Sequence, residues 1–110
     1  MFKRVCSLED LWEGDMEIFE VNGRSVLLVY PEGGTLYAVQ GMCPHQKIPL
    51  DEGTLEGSTL TCRAHLWKFD VTTGKGINPE KCRLAVFPLR IEGQEVLVDT
   101  DGIEEIREGF

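Results

Sequence analysis

The chain has almost no histidine: its 110 residues contain two, His45 and His65. It also has no apolar run near the roughly 18 residues that a membrane-spanning helix needs. Its first residues, Met1-Phe2-Lys3-Arg4-Val5-Cys6, lack the long apolar stretch of a secretory signal. These absences lead us to expect a cytoplasmic protein without a membrane partner. Basic residues are scarce, 11 Lys and Arg against 19 Asp and Glu, for a net charge of −8. Nucleic acid is therefore excluded as a partner, because neutralising phosphates takes a surplus of Lys and Arg. No Ser/His/Asp set, nucleotide-binding loop, flavin motif, internal repeat, low-complexity segment or linker is found. The length fits one domain spanning residues 1–110.

Short alternating or apolar runs separated by turn residues fill most of the chain. Val5-Cys6-Ser7-Leu8 opens as a strand, and Ser7 is placed to cap a helical turn over Leu8–Leu11. Trp12 reads as a core anchor. Met16–Val21 alternates like a half-buried strand. Asn22-Gly23 is a hairpin signal, since both residues tolerate positive φ. The following run, Arg24–Tyr30, is more continuously apolar and so more central. Further strands are expected at Thr35–Val39, Thr54-Leu55, Thr59–Thr61, Trp67–Asp70, Leu84–Ile91 and Glu95–Asp99. Thr72–Pro79 reads as irregular, Pro88 as an edge or bulge position, and Ile103–Arg107 as partly helical. The pattern predicts an all-β protein, an antiparallel sandwich or small barrel.

Both histidines fall beside cysteines, in Cys43-Pro44-His45 and Cys62-Arg63-Ala64-His65, and sixteen residues separate His45 from Cys62. Thiolate and imidazole together bind zinc or iron–sulfur centres. A structural Cys₂His₂ zinc site in a binding module is one reading. Two unrelated Cys/His pairs in a core is another. The third is a cluster of two unlike irons, with Cys43 and Cys62 on one and His45 and His65 on the other. Zinc fingers usually group like with like, whereas each pair here mixes the two types, which favours the cluster. Such a centre is neutral when oxidised and carries one negative charge when reduced. A four-cysteine cluster carries two and then three, so the mixed centre accepts its electron more readily. The remaining cysteines, Cys6 and Cys82, read as small buried hydrophobes.

The order and spacing of the two pairs match the Rieske motif, and the resemblance extends over nearly the whole chain. It is most similar to the Rieske ferredoxin component of bacterial toluene monooxygenases, which are multicomponent diiron hydroxylase systems. The likeness is carried by Val5–Leu8, Met42-Cys43-Pro44-His45-Gln46, Thr61-Cys62-Arg63-Ala64-His65-Leu66-Trp67 and Gly76-Ile77-Asn78-Pro79. The resemblance implies a Rieske fold: an antiparallel β-sandwich base with a small cluster-binding subdomain, about residues 41–80, carrying both ligand loops. It also implies one [2Fe-2S] cluster per chain, bound by Cys43, His45, Cys62 and His65. The expected role is electron delivery from an NADH-dependent flavin/iron–sulfur reductase to a diiron hydroxylase, by a carrier that is monomeric when free. A closely related alternative is the ferredoxin of a Rieske aromatic-ring dioxygenase system.

Several residues refine this reading. High-potential respiratory Rieske proteins are expected to carry an extra cysteine in each loop, joined as a disulfide. They also place Ser and Tyr hydroxyls two and four positions after the second histidine. Here Gln46, Lys47, Ile48, Arg63 and Ala64 supply no cysteine, and Trp67 and Phe69 occupy the hydroxyl positions. Fewer donors to sulfur stabilise the reduced state less, which predicts a potential near or below about −150 mV. Glycine commonly follows the second histidine in the family, and Leu66 stands there instead. A ring-oxidising catalyst would need a second, mononuclear iron held by two histidines and a carboxylate. Both histidines are already committed, so the chain reads as an electron carrier without catalysis of its own. Met42, Pro44, Leu66, Trp67 and Pro79 are the expected apolar collar for docking, with Asp15, Glu17, Asp51, Glu52 and Glu80 around it to steer a basic partner.

Overall fold

The computed structural model describes residues 1–44, 48–63, 66–78, 80 and 82–106. Ten strands follow in chain order: β1 (Lys3–Ser7), β2 (Asp15–Val21), β3 (Arg24–Tyr30), β4 (Tyr37–Gln40), β5 (Thr54–Glu56), β6 (Thr59–Thr61), β7 (Lys68–Asp70), β8 (Gly76–Asn78), β9 (Leu89–Glu92) and β10 (Glu95–Val98). They form three antiparallel sheets, ordered β1-β10-β9, β2-β3-β4 and β5-β6-β7-β8. Helical structure among the described residues amounts to single 3₁₀ turns at Leu8–Asp10 and Leu50–Glu52. None is long and apolar enough to cross a membrane.

The β2–β3–β4 sheet forms the middle of this arrangement because β3 is apolar on both faces. Alternate strand residues point to opposite sides. Val26 and Leu28 join a core with Ala38 of β4 and with Cys6, Phe87, Val96 and Val98 of the terminal β1-β10-β9 sheet and its connections. Leu27 and Val29 join a second core with Val39, Leu60, Phe69 and Val71, on the side of the β5–β8 sheet. The continuous run in β3 therefore marks a strand buried on two sides. At the β2–β3 turn, Asn22 and Gly23 have φ of 53° and 79°. Both are left-handed, as a two-residue type I′ hairpin requires.

Four local expectations are corrected. Trp12 is 76% exposed; it begins the turn into β2, where the Asp15 N–H donates to its carbonyl, and Leu8 and Leu11 turn inward instead. The expected strand Leu84–Ile91 is regular from Leu89 onward. The stretch before it changes sheets, so no strand partner lasts long. Leu84 N–H donates to the Gly74 carbonyl on the β5–β8 side, and Phe87 N–H to Ala38 in β4. Gly76–Asn78, expected to be irregular, adds an edge strand to β7 across a register shift. Ile103–Ile106 is not helical: Ile103 and Ile106 pack against the terminal core, and the backbone of Ile106 bonds to the Gln40 side chain. Arg107 lies outside the described residues.

Candidate metal centre

Both cysteine-bearing loops are built alike. In the first, β4 ends at Gln40 and Gly41 N–H donates to the Ser25 carbonyl at 2.9 Å. A Cβ on Gly41 would sit 2.9 Å from that of Ser25, so the approach needs a glycine. Met42 and Pro49 then form a bridge, and Cys43 N–H donates to the Ile48 carbonyl at 2.9 Å. In the second, β6 runs straight into Cys62, whose N–H donates to the Trp67 carbonyl at 2.7 Å before β7 begins. Each cysteine amide thus reaches the carbonyl five residues ahead, closing a loop of the same size. His45 and His65 belong to these two loops and lie outside the described residues, as do Gln46, Lys47 and Ala64.

Cys43 and Cys62 are both buried and share one core with Leu50, Leu60 and Phe69. None of the four cysteines is in a disulfide. Two reduced thiols, rooted in facing loops at the edge of one apolar core, are a donor set that fits the thiolate side of an iron–sulfur cluster. Arg63 in the second loop reaches Glu52, on the turn after the first, at 2.6 Å (Nε to Oε1). Both side chains are about half exposed, so this link between the loops stabilises by no more than about 1 kcal/mol.

The collar residues divide. Leu66 is 66% exposed, Met42 and Trp67 are half-buried, and Pro44 is buried. Pro44 is therefore not an exposed surface residue, and Pro79 lies outside the described residues. Trp67 packs against the first core as a half-buried residue. Leu66 has φ of 55°, a left-handed backbone conformation that glycine adopts without strain. Ile77, not anticipated as a surface contact, is exposed on β8 at the end of the sheet that pairs with β7 near Leu66. The apolar residue at the outer edge of a Gly-Ile-Asn strand was its only signal. Three of the expected acidic residues, Asp15, Glu17 and Asp51, line one cleft of about 470 Å³ together with Asp10 and Trp12.

Of the other cysteines, Cys82 is buried in the same core as Cys43 and Cys62, and Cys6 is buried in the terminal core. Burial pushes the Cys6 thiol up to about 11, helped by the carboxylates of Asp10 and Glu17 and opposed by Arg4. That thiol is protonated and inert at neutral pH.

Residues 1–88 match the family model of the Rieske [2Fe-2S] domain. The chain belongs to this Rieske family. Its cofactor is accordingly a Rieske-type [2Fe-2S] cluster, and its role is that of an electron carrier. It is 48% identical over 98 residues to the ferredoxin component of the alkene monooxygenase system of Xanthobacter autotrophicus, covering 88% of this chain and 80% of that protein. Among solved structures, the ferredoxin of carbazole 1,9a-dioxygenase from Nocardioides aromaticivorans superposes with a TM-score of 0.82 at 31% identity, covering 89% of this chain and 96% of that one. A ferredoxin in complex with the oxygenase of a carbazole 1,9a-dioxygenase gives a TM-score of 0.78 at 30% identity, covering 88% and 91%. The three sheets described above are thus those of a Rieske ferredoxin.

Proposed function

We propose that this Rieske ferredoxin carries single electrons from an NADH-dependent flavin/iron–sulfur reductase to the diiron hydroxylase of a hydrocarbon monooxygenase acting on toluene-type substrates. It works as a cytoplasmic monomer with no catalytic activity of its own. Cys43 and Cys62 hold one iron as thiolates; His45 and His65 hold the other through neutral imidazoles. Residues 41–80 form the cluster-binding unit of a single domain. The observation that carries the ligand assignment is the matched pair of loops, each closed by its own cysteine amide and each delivering a buried thiol to one core. When bound, the cluster supplies a one-electron couple. The chain seals its thiolate side from water with Leu50, Leu60 and Phe69 and leaves Leu66 at the surface.

Identity leans toward a monooxygenase system, at 48% for the alkene monooxygenase ferredoxin against 40% for the ferredoxin component of a biphenyl 2,3-dioxygenase from Rhodococcus jostii and 31% for the carbazole dioxygenase ferredoxin. The fold likeness to a carbazole dioxygenase ferredoxin keeps the second reading in play. Reconstituted turnover with each class of terminal oxygenase separates them: product is expected with the diiron monooxygenase, and product with only the dioxygenase overturns the proposal. The purified protein should be red-brown, with a potential near or below about −150 mV. Cys43→Ser and Cys62→Ser should each lose the colour, whereas a colourless, zinc-loaded wild type would point to the binding module.

A further inference from the structure

Gln40 is a buried polar residue at the end of β4, and its carboxamide connects three separate segments. Nε2 donates to the Met42 carbonyl at 2.8 Å and to the Ile106 carbonyl at 3.0 Å. Oε1 accepts from the Ala85 N–H at 2.8 Å and from the Ile106 N–H at 3.0 Å. A primary amide has two N–H donors and two acceptor lone pairs, so the group is fully used. Ile106 presents both its N–H and its C=O to this one amide, as it would to a neighbouring strand. Glutamate could keep the accepted bonds but not the donated ones, and an apolar side chain could make neither. Only an amide of this length satisfies all three segments.

The Met42 carbonyl and the Cys43 N–H belong to the same peptide group. Its N–H end is held by the Ile48 carbonyl and its C=O end by Gln40. That plane sets the direction in which Cys43 leaves the backbone. We propose that Gln40 is a positioning residue that ties the C-terminal segment, residues 103–106, to the first ligand loop and so fixes the peptide carrying the first thiolate. The proposal rests on Cys43 being a cluster ligand, as argued above. It extends that reading to a segment more than sixty residues away in sequence, anchored independently by Ile103 and Ile106 on the terminal core.

The test uses the cluster-loaded protein and three variants: Gln40→Glu, Ile106→Pro, and both together. Ile106→Pro removes the Ile106 N–H while leaving Gln40 and the loop intact. Deuterium exchange of peptides covering residues 41–44, the midpoint potential and the spectrum of the reduced cluster are measured. Each single variant is expected to speed exchange of the Cys43 amide about tenfold or more and to shift the potential in the same direction. The double variant should go no further than the larger single one, because both act through one network. Lowered melting temperatures with wild-type Cys43 exchange and wild-type potential would overturn the proposal and leave Gln40 a core residue. If Gln40→Glu does not assemble its cluster, Ile106→Pro decides alone: a wild-type potential in it overturns the proposal. A wild type that lacks the cluster, or keeps it in Cys43→Ser, instead defeats the ligand assignment.

Discussion

A leucine held at φ +55° carries about 1–3 kcal/mol of backbone strain, and Leu66 receives little burial in return. Strain that the surrounding loop sustains, on an apolar side chain facing solvent, fits a residue kept for contact with a partner. Leu66→Gly should therefore leave the denaturation midpoint unchanged or raise stability by up to about 1 kcal/mol. The same change should slow electron transfer to the proposed hydroxylase while the cluster spectrum stays as in the wild type. A large loss of stability would mean that the side chain packs in the fold. Cys6 offers a separate test. Burial favours its neutral thiol, so the folded chain keeps this proton to higher pH than the unfolded one. The stability gained is complete below the ordinary thiol value of 9.0 and is lost as pH rises toward about 11. Chemical denaturation across that range should fall in the wild type and fall less in Cys6→Ala.

The second ligand loop depends on how closely the turn before β5 approaches the end of β6. A Cβ on Gly53 would lie 2.0 Å from the Thr61 carbonyl oxygen, immediately before Cys62. Backbone cannot yield there as a side-chain tip could, so Gly53→Ala should destabilise by about 1–3 kcal/mol and weaken cluster retention. Gly57, in the β5–β6 turn, has open space around it and φ of 60°, so Gly57→Ala should cost about 1 kcal/mol with the cluster intact. Denaturation and the visible spectrum distinguish the two. Much at this scale was legible in the sequence. Alternation placed β2, a continuous apolar run placed β3, Asn22-Gly23 marked the hairpin between them, and Thr59–Thr61 matched β6 residue for residue. The misses share a physical cause. Trp12, the 84–88 crossing and the 103–106 segment are decided by which distant partner the backbone meets, and local periodicity does not report that. Gln40 was overlooked for the same reason: its four partners converge only in three dimensions. The loops' chemistry was readable because cysteine and histidine are so few; their closure by two equivalent hydrogen bonds was not.

Across the whole molecule, charge is the dominant surface property. A net charge of −8 on 110 residues gives a field that attracts basic partners and is screened by salt within about 10 Å at 0.1 M. The cleft lined by Asp10, Asp15, Glu17 and Asp51 concentrates part of it beside the turn that follows the first ligand loop. Electron exchange with the proposed reductase and hydroxylase should therefore slow as ionic strength rises. Asp15→Asn with Asp51→Asn should flatten that dependence without moving the potential. Rates indifferent to salt would reduce these carboxylates to ordinary solvated surface.

The two loop closures bear finally on how cheaply an electron can enter and leave. A carrier changes charge twice in every cycle, and any rearrangement around its redox centre adds to the barrier each time. Here the residues bearing both thiols have their amides already committed to the Ile48 and Trp67 carbonyls, and both side chains are embedded in a close-packed core. On the cysteine side, among the described residues, little is left to reorient when the charge changes. That geometry favours a small reorganisation energy on the cysteine side, which suits a carrier working at a modest driving force.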